Sequence, residues 1–282
     1  VGKDVTRWKT GDRVTVPFVG GCGACPECHA GHQQVCHHQF QPGFTHWGSF
    51  AEYVSLHQAD LNLVALPESI EFATAASLGC RFVTSFRAVV DQGKVVAGQW
   101  VAVHGCGGVG LNVIQGAALG GARRVIAVDL QPSKLALARR FGATDTVQAD
   151  GEDPVARIRE LTDGGVSCAF EVIGRPATAR QALDMLAVGG TAYLIGVQPQ
   201  NAGLDFALFE DLIFPQRALR GVSMGSTVPQ LDIPRYVELY LQGRFHLDEL
   251  VSRRIGLDEI DAGYEALRRG GVARAVVTGF SR

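Results

Sequence analysis

At 282 residues, with 46% hydrophobic and 19% charged side chains, the chain has material for two folded units sharing one polypeptide. Its 26 basic and 28 acidic residues nearly cancel, which argues against nucleic acid or an anionic membrane surface as a partner. No apolar run reaches the roughly 18 residues of a membrane span and no charged-then-apolar leader opens the chain, so a cytoplasmic protein acting on a small molecule is expected.

The stretch up to about Leu66 is rich in Gly, Cys and His, with β-like runs at "DRVTVP" and "SFAEYVSL" separated by turn residues, and reads as a small irregular β-domain. Val1 opens it in what reads as the middle of a domain, so a preceding segment is expected. Within it, "CGACPECHAGHQQVC" holds Cys22, Cys25, Cys28 and Cys36. Two-residue gaps let successive thiolates turn toward one point, and a fourth closes a tetrahedron. Four thiolates hold zinc with no position left for water, which makes the site structural. An iron–sulfur cluster or two disulfides are the competing readings, the second disfavoured in a reducing cytosol. His29, His32, His37 and His38 crowd the same lobe and read as surface residues, although one histidine could replace a thiolate.

From Pro67 the texture changes. "ESIEFATAASL" and "FVTSFRAVVDQ" have helical spacing, and strands then alternate with helices: strands at "WVAVHG", "RRVIAVD", "SCAFEVIG" and "GTAYLIGV", helices at 109–119, "PSKLALARRFG", "PVARIRELT" and "TARQALDMLA". Short buried strands alternating with helices imply parallel crossovers and a doubly wound α/β sheet. Beyond about Gly221 the order becomes helix, loop, helix, strand, ending in "ARAVVTGF", and this tail is expected to fold back on the first domain.

After "WVAVHG" come Gly105, Gly107, Gly108, Val109 and Gly110 in the order GxGGVG, directly before a helix. Gly105 suits a tight turn, Gly107 the close approach of a pyrophosphate, and Gly110 helix packing, with the anion on the helix N-terminus. The next strand ends in Asp129, whose carboxylate can accept from ribose hydroxyls and repels a 2′-phosphate, so NAD is favoured over NADP. Lys134 is within reach of the same ribose, or is a solvated helix lysine. A glycine-rich turn with Asp129 as a helix cap is the competing reading. Cys80, Cys106 and Cys168 are scattered, and by spacing alone Cys80 is a buried core cysteine.

A four-cysteine lobe N-terminal to a GxGGVG loop resembles the zinc-dependent alcohol dehydrogenases of the medium-chain dehydrogenase/reductase superfamily. The match extends through "GDRV", "GSFAEYV", "SLGCRFVTSFRAV", "GCGGVG", "VIAVD" followed by Lys134, "FEVIG" followed by Arg175, and "ARAVV". The resemblance implies a GroES-like catalytic domain over 1–81 and 221–282, a Rossmann NAD-binding domain over 82–220, and a second, catalytic zinc. Cys80 occupies the position of that zinc's third ligand. Thr84 and Val109 match residues beside the nicotinamide, Ile173 one lining the coenzyme channel, and Arg274 a pyrophosphate-contacting arginine. Ile195 and Val197 match the stretch whose backbone holds the carboxamide, although core packing explains Ile173, Ile195 and Val197 equally well.

The implied reaction is hydride transfer between an alcohol and NAD, reversible to aldehyde or ketone, with zinc lowering the hydroxyl pKa. The family's N-terminal segment, with the first cysteine ligand, a GHE motif and the proton relay, is not among these residues, so the chain by itself is expected to turn over no alcohol. A non-catalytic NAD-binding or zinc-scaffold protein is the competing reading. Family members pair as homodimers or homotetramers.

Overall fold

Runs such as "VAVH" and "VIAV", apolar on both alternating faces, suit strands covered by helices on either side rather than half-solvated ones. The computed structural model of the chain, which describes residues 1–270 and 272–280, builds them into the middle of a sheet. The chain divides into two compact units, one formed by Val1–Val83 with Ser226–Arg282 and the other by Thr84–Gly225.

The first unit begins with β1 (Val14–Thr15), paired antiparallel with β2 (Val64–Ala65). Between them lies the cysteine lobe, with a one-turn helix at Pro26–His29 and a 3₁₀ turn at Gln33–Val35. The strand expected at "SFAEYVSL" does not form. A strand needs a partner for its backbone ladder and a face to bury; here no ladder partner is found among the described residues, and Phe50 and Tyr53 are 57% and 88% exposed. Of the two stretches with helical spacing after Pro67, "ESIEFATAASL" gives only the short helix Phe72–Ala75, whereas "FVTSFRAVVDQ" is helical without a break through Leu78–Phe82, Val83–Arg87 and Ala88–Gln92, opening with an i→i+5 bond from Phe82 N–H to the Ser77 carbonyl.

The second unit holds β3 (Trp100–His104), β4 (Arg124–Asp129), β5 (Asp145–Gln148), β6 (Val166–Glu171), β7 (Leu186–Leu194) and β8 (Ala218–Gly221), all parallel, in the order β5-β4-β3-β6-β7-β8. That is the 3-2-1-4-5-6 order of a Rossmann sheet, with its switch point between β3 and β6. Helices α1 (Gly108–Leu119), α2 (Pro132–Arg140), α3 (Pro154–Thr162) and α4 (Pro176–Asp184) follow β3, β4, β5 and β6. Three of the four carry proline at the first turn, where a missing N–H costs nothing. The core lies on the sheet, where Ile126, Val128, Val147, Ile158, Leu183 and Leu186 are fully buried.

The tail returns to the first unit with α5 (Pro229–Leu241), β9 (Arg253–Gly256), α6 (Ile260–Arg268) and β10 (Ala275–Gly279), the two strands pairing in parallel. Its aromatic core sets Phe82 edge-on to Tyr236 and Phe245, at centroid distances of 5.4 and 5.0 Å.

Candidate functional site

In the cysteine lobe, the four Sγ atoms of Cys22, Cys25, Cys28 and Cys36 lie within 4.8 Å of one another, and Cys25 and Cys36 are 3.6 Å apart. A tetrahedral zinc with Zn–S bonds of about 2.3 Å requires sulfurs about 3.8 Å apart, so the donor set fits. Two backbone N–H groups already point at sulfur, Ala24 to Cys22 at 3.5 Å and His38 to Cys36 at 3.3 Å. The Ala24 N–H pulls the Cys22 thiol down to about 6, whereas burial pushes Cys36 up. His29, His32, His37 and His38 are exposed, and His37 faces Glu27 at 3.5 Å rather than the thiols.

What holds the lobe is a residue that sequence reasoning missed. Asn62 is fully buried and grips Gly21, the neighbour of Cys22, at both backbone groups: its Oδ1 accepts from Gly21 N–H at 2.9 Å and its Nδ2 donates to the Gly21 carbonyl at 3.0 Å. Nδ2 also donates to the carbonyls of His57 and Gln58. No local signal marks an asparagine whose partner is 41 residues away.

Cys80 lies half-buried in the turn Leu78–Phe82. The turn is seated by Gly79, whose carbonyl accepts from Phe18 N–H at 2.8 Å and whose missing side chain leaves room for the Val16 carbonyl. Burial raises the Cys80 thiol against the opposing pull of the Arg81 and Arg274 guanidiniums. Arg274 is lowered to about 10, chiefly by burial, and its Nη1 is an enclosed donor with no partner among the described residues. Among the described residues Cys80 belongs to no group of three metal-binding side chains, so the residues present do not fit a catalytic zinc.

In the second unit the glycine loop links β3 to α1. Gly105 has φ +106°, a conformation that favours glycine, and a Cβ on Gly110 would sit 2.9 Å from the Gly105 carbonyl carbon. Gly107 differs: nothing lies within 4 Å of where its Cβ would be. The open space faces the start of α1, which has no side-chain cap and no acidic residue in its first turn. Free N–H groups there favour an anion.

Asp129, at the end of β4, accepts from the N–H groups of Cys106 at 2.8 Å and Gln131 at 3.0 Å, which fixes the carboxylate beside the loop. It lines a cavity of about 350 Å³ together with His104, Leu130, Lys134, Ile173 and Arg175. Lys134 thus stands on the same cavity as Asp129. Arg124, at the opposite end of β4, pairs with Asp145 at 3.1 Å. Ile173 and Val197 are 42% and 93% exposed, so core packing does not account for them, while Ile195 is half-buried. Their loops are tied by Glu171, fully buried, which sequence reasoning also passed over: its Oε1 accepts from the N–H groups of Ile173 and Gly174 and from the Thr178 hydroxyl, and its carbonyl accepts from Ile195 and Gly196. Thr84 is buried, its hydroxyl 3.6 Å from the Met224 sulfur, and Val109 lies in the first turn of α1. Cys106 and Cys168 are core thiols that burial raises to about 12 and about 11.

Residues 108–242 match the zinc-binding dehydrogenase family, and residues 1–68 match the alcohol dehydrogenase GroES-like domain. The chain is 32% identical to a probable S-(hydroxymethyl)glutathione dehydrogenase 1 of Schizosaccharomyces pombe, over 98% of this chain and 78% of that one. It is 32% identical to an NDMA-dependent alcohol dehydrogenase of Amycolatopsis methanolica, over 98% and 80%. The crystal structure of benzyl alcohol dehydrogenase from Acinetobacter calcoaceticus superposes with a TM-score of 0.88 at 28% identity, covering 99% of this chain and 80% of that one. With the Rossmann strand order, the glycine loop and the four-thiol lobe, these matches establish that the chain belongs to the zinc-dependent alcohol dehydrogenase family of the medium-chain dehydrogenases.

Proposed function

We propose that the protein serves hydride transfer between a small alcohol and NAD. The observation that carries this reading is the open space at Gly107, next to an uncapped helix N-terminus and on the same edge of the sheet as the Asp129 cavity. Gly105, Gly107, Gly108, Val109 and Gly110 would receive the pyrophosphate on backbone N–H groups. Asp129 and Lys134 would take the adenosine ribose, and Asp129 would repel a 2′-phosphate, which selects NAD over NADP. Ile173, Ile195, Val197 and Thr84 would border the bound dinucleotide. When bound, NAD accepts or returns the hydride; the protein's share is to orient it and exclude water.

Zinc belongs to the four-thiol lobe, where it closes a loop and contributes to folding. A cytoplasmic setting suits thiols that must stay reduced to bind it. Cys80 is read as a ligand of a catalytic zinc, but with a single thiolate offered by these residues the 282-residue chain is expected to bind NAD and one zinc without oxidising alcohols. Leu208, Phe209, Ile213 and Phe214, 59–76% exposed just before the edge strand β8, support a homo-oligomer that covers them.

The test is metal analysis, NAD titration and alcohol oxidation on the purified chain. One zinc per chain, one NAD site and no turnover are expected. Absence of NAD binding would overturn the functional reading, and robust turnover would overturn the inactivity.

A further inference from the structure

His104 ends β3, opposite Val128 and Glu171, and follows Val101, Ala102 and Val103, all buried. It is itself 4% exposed and lines the cavity beside Asp129. Its Nδ1 is enclosed and has no hydrogen-bond partner among the described residues. An unpaired polar atom in a sheet core destabilises the fold, and a phenylalanine would fill the position without that cost, so the imidazole calls for another explanation.

Two of the polar neighbours bond elsewhere. Both Asp129 oxygens accept backbone N–H groups, and the Thr178 hydroxyl donates to Glu171. Burial holds the imidazole at about 4, so the ring is neutral at physiological pH and carries one N–H and one lone pair. An enclosed N–H without an acceptor is rarer in proteins than an enclosed lone pair. The proton therefore belongs on Nε2, the nitrogen left to face the cavity. Around it the exposed side chains of Leu130 and Ile173 offer apolar surface for a flat ring.

We propose that His104 binds the adenine of the dinucleotide by donating from Nε2 to a ring nitrogen. Adenine suits such a donor because its ring nitrogens accept hydrogen bonds. This rests on the NAD reading above and adds to it a residue that holds the base.

The experiment is calorimetric titration of the zinc-loaded chain with NAD and with three analogues, each having one adenine ring nitrogen replaced by carbon. Wild type is expected to bind one analogue about five- to tenfold more weakly than NAD, the effect of losing one hydrogen bond. His104→Phe should bind NAD and that analogue alike, and His104→Gln, which restores a donor, should recover the discrimination. Equal binding of all four ligands by wild type, or undiminished discrimination in His104→Phe, would overturn the proposal. If wild type binds no dinucleotide, the NAD reading itself falls and this inference falls with it. Should the phenylalanine unfold the sheet, the imidazole nitrogen NMR signals of wild type decide: NAD should shift Nε2 more than Nδ1, and an unmoved Nε2 would refute the contact.

Discussion

Replacing Gly107 by alanine separates coenzyme binding from folding. Gly107 has φ −82° and ψ −167°, extended backbone that alanine adopts without strain, and the added Cβ meets nothing within 4 Å. Unfolding free energy should therefore change by no more than about 0.5 kcal/mol. The same methyl occupies the space into which a pyrophosphate must come, and overpacking of that kind costs about 1–3 kcal/mol, roughly a five- to 150-fold loss of NAD affinity. Gly110→Ala is the contrasting variant. Its Cβ would sit 2.9 Å from the Gly105 carbonyl carbon and 3.3 Å from Val172 Cγ2, so the loop backbone must move whether or not ligand is present, and a destabilisation of about 1–3 kcal/mol or more is expected. Urea unfolding and NAD titration of both variants check the pair. Unchanged NAD affinity in Gly107→Ala would refute the assignment of the open space to the pyrophosphate.

Asn62→Ala removes two buried hydrogen bonds to Gly21 and two part-buried ones to His57 and Gln58; a loss of about 2–4 kcal/mol and faster zinc release to a colorimetric chelator are expected, and release at the wild-type rate would exclude the clamp. His104 is held neutral to about 4 against an ordinary 6.5, so the unfolded chain takes up this proton first as the pH falls. Its contribution is full above 6.5 and declines toward 4, by up to about 3 kcal/mol. The stability difference between wild type and His104→Phe should shift across that window, and a flat difference would count against it. Charging the exposed apolar segment with Phe209→Asp and Phe214→Asp should lower the mass seen by light scattering to that of a monomer, whereas an unchanged mass would locate the contact elsewhere.

Much of the second unit is legible in the sequence because its strands are apolar on both faces and each helix has a start signal. β5 and β8 are the exceptions: Asp145–Gln148 and Ala218–Gly221 are short strands at the two edges of the sheet, without the apolar run that marks the strands between them. The glycine loop and the four cysteines are legible because each function depends on local spacing. The helix expected over "FVTSFRAVVDQ" forms, whereas "ESIEFATAASL" keeps only the turn Phe72–Ala75 and is followed by Gly79 packed on the Val16 carbonyl, a long-range contact that periodicity does not report. "SFAEYVSL" has a strand's composition but no ladder partner among the described residues, and pairing is not a property of one segment. Asn62, Glu171, Leu130 and His104 matter through what the topology brings beside them. Exposure sets Ile173 and Val197 apart from the core, which apolar side chains alone do not reveal.

The most direct measurement of the central claim is a crystal structure of the chain with NAD bound. The account predicts the pyrophosphate over Gly107 at the start of α1, the adenosine ribose on Asp129, and the adenine in the cavity between Leu130 and Ile173. A dinucleotide bound elsewhere, or a loop left empty at saturating NAD, would contradict it.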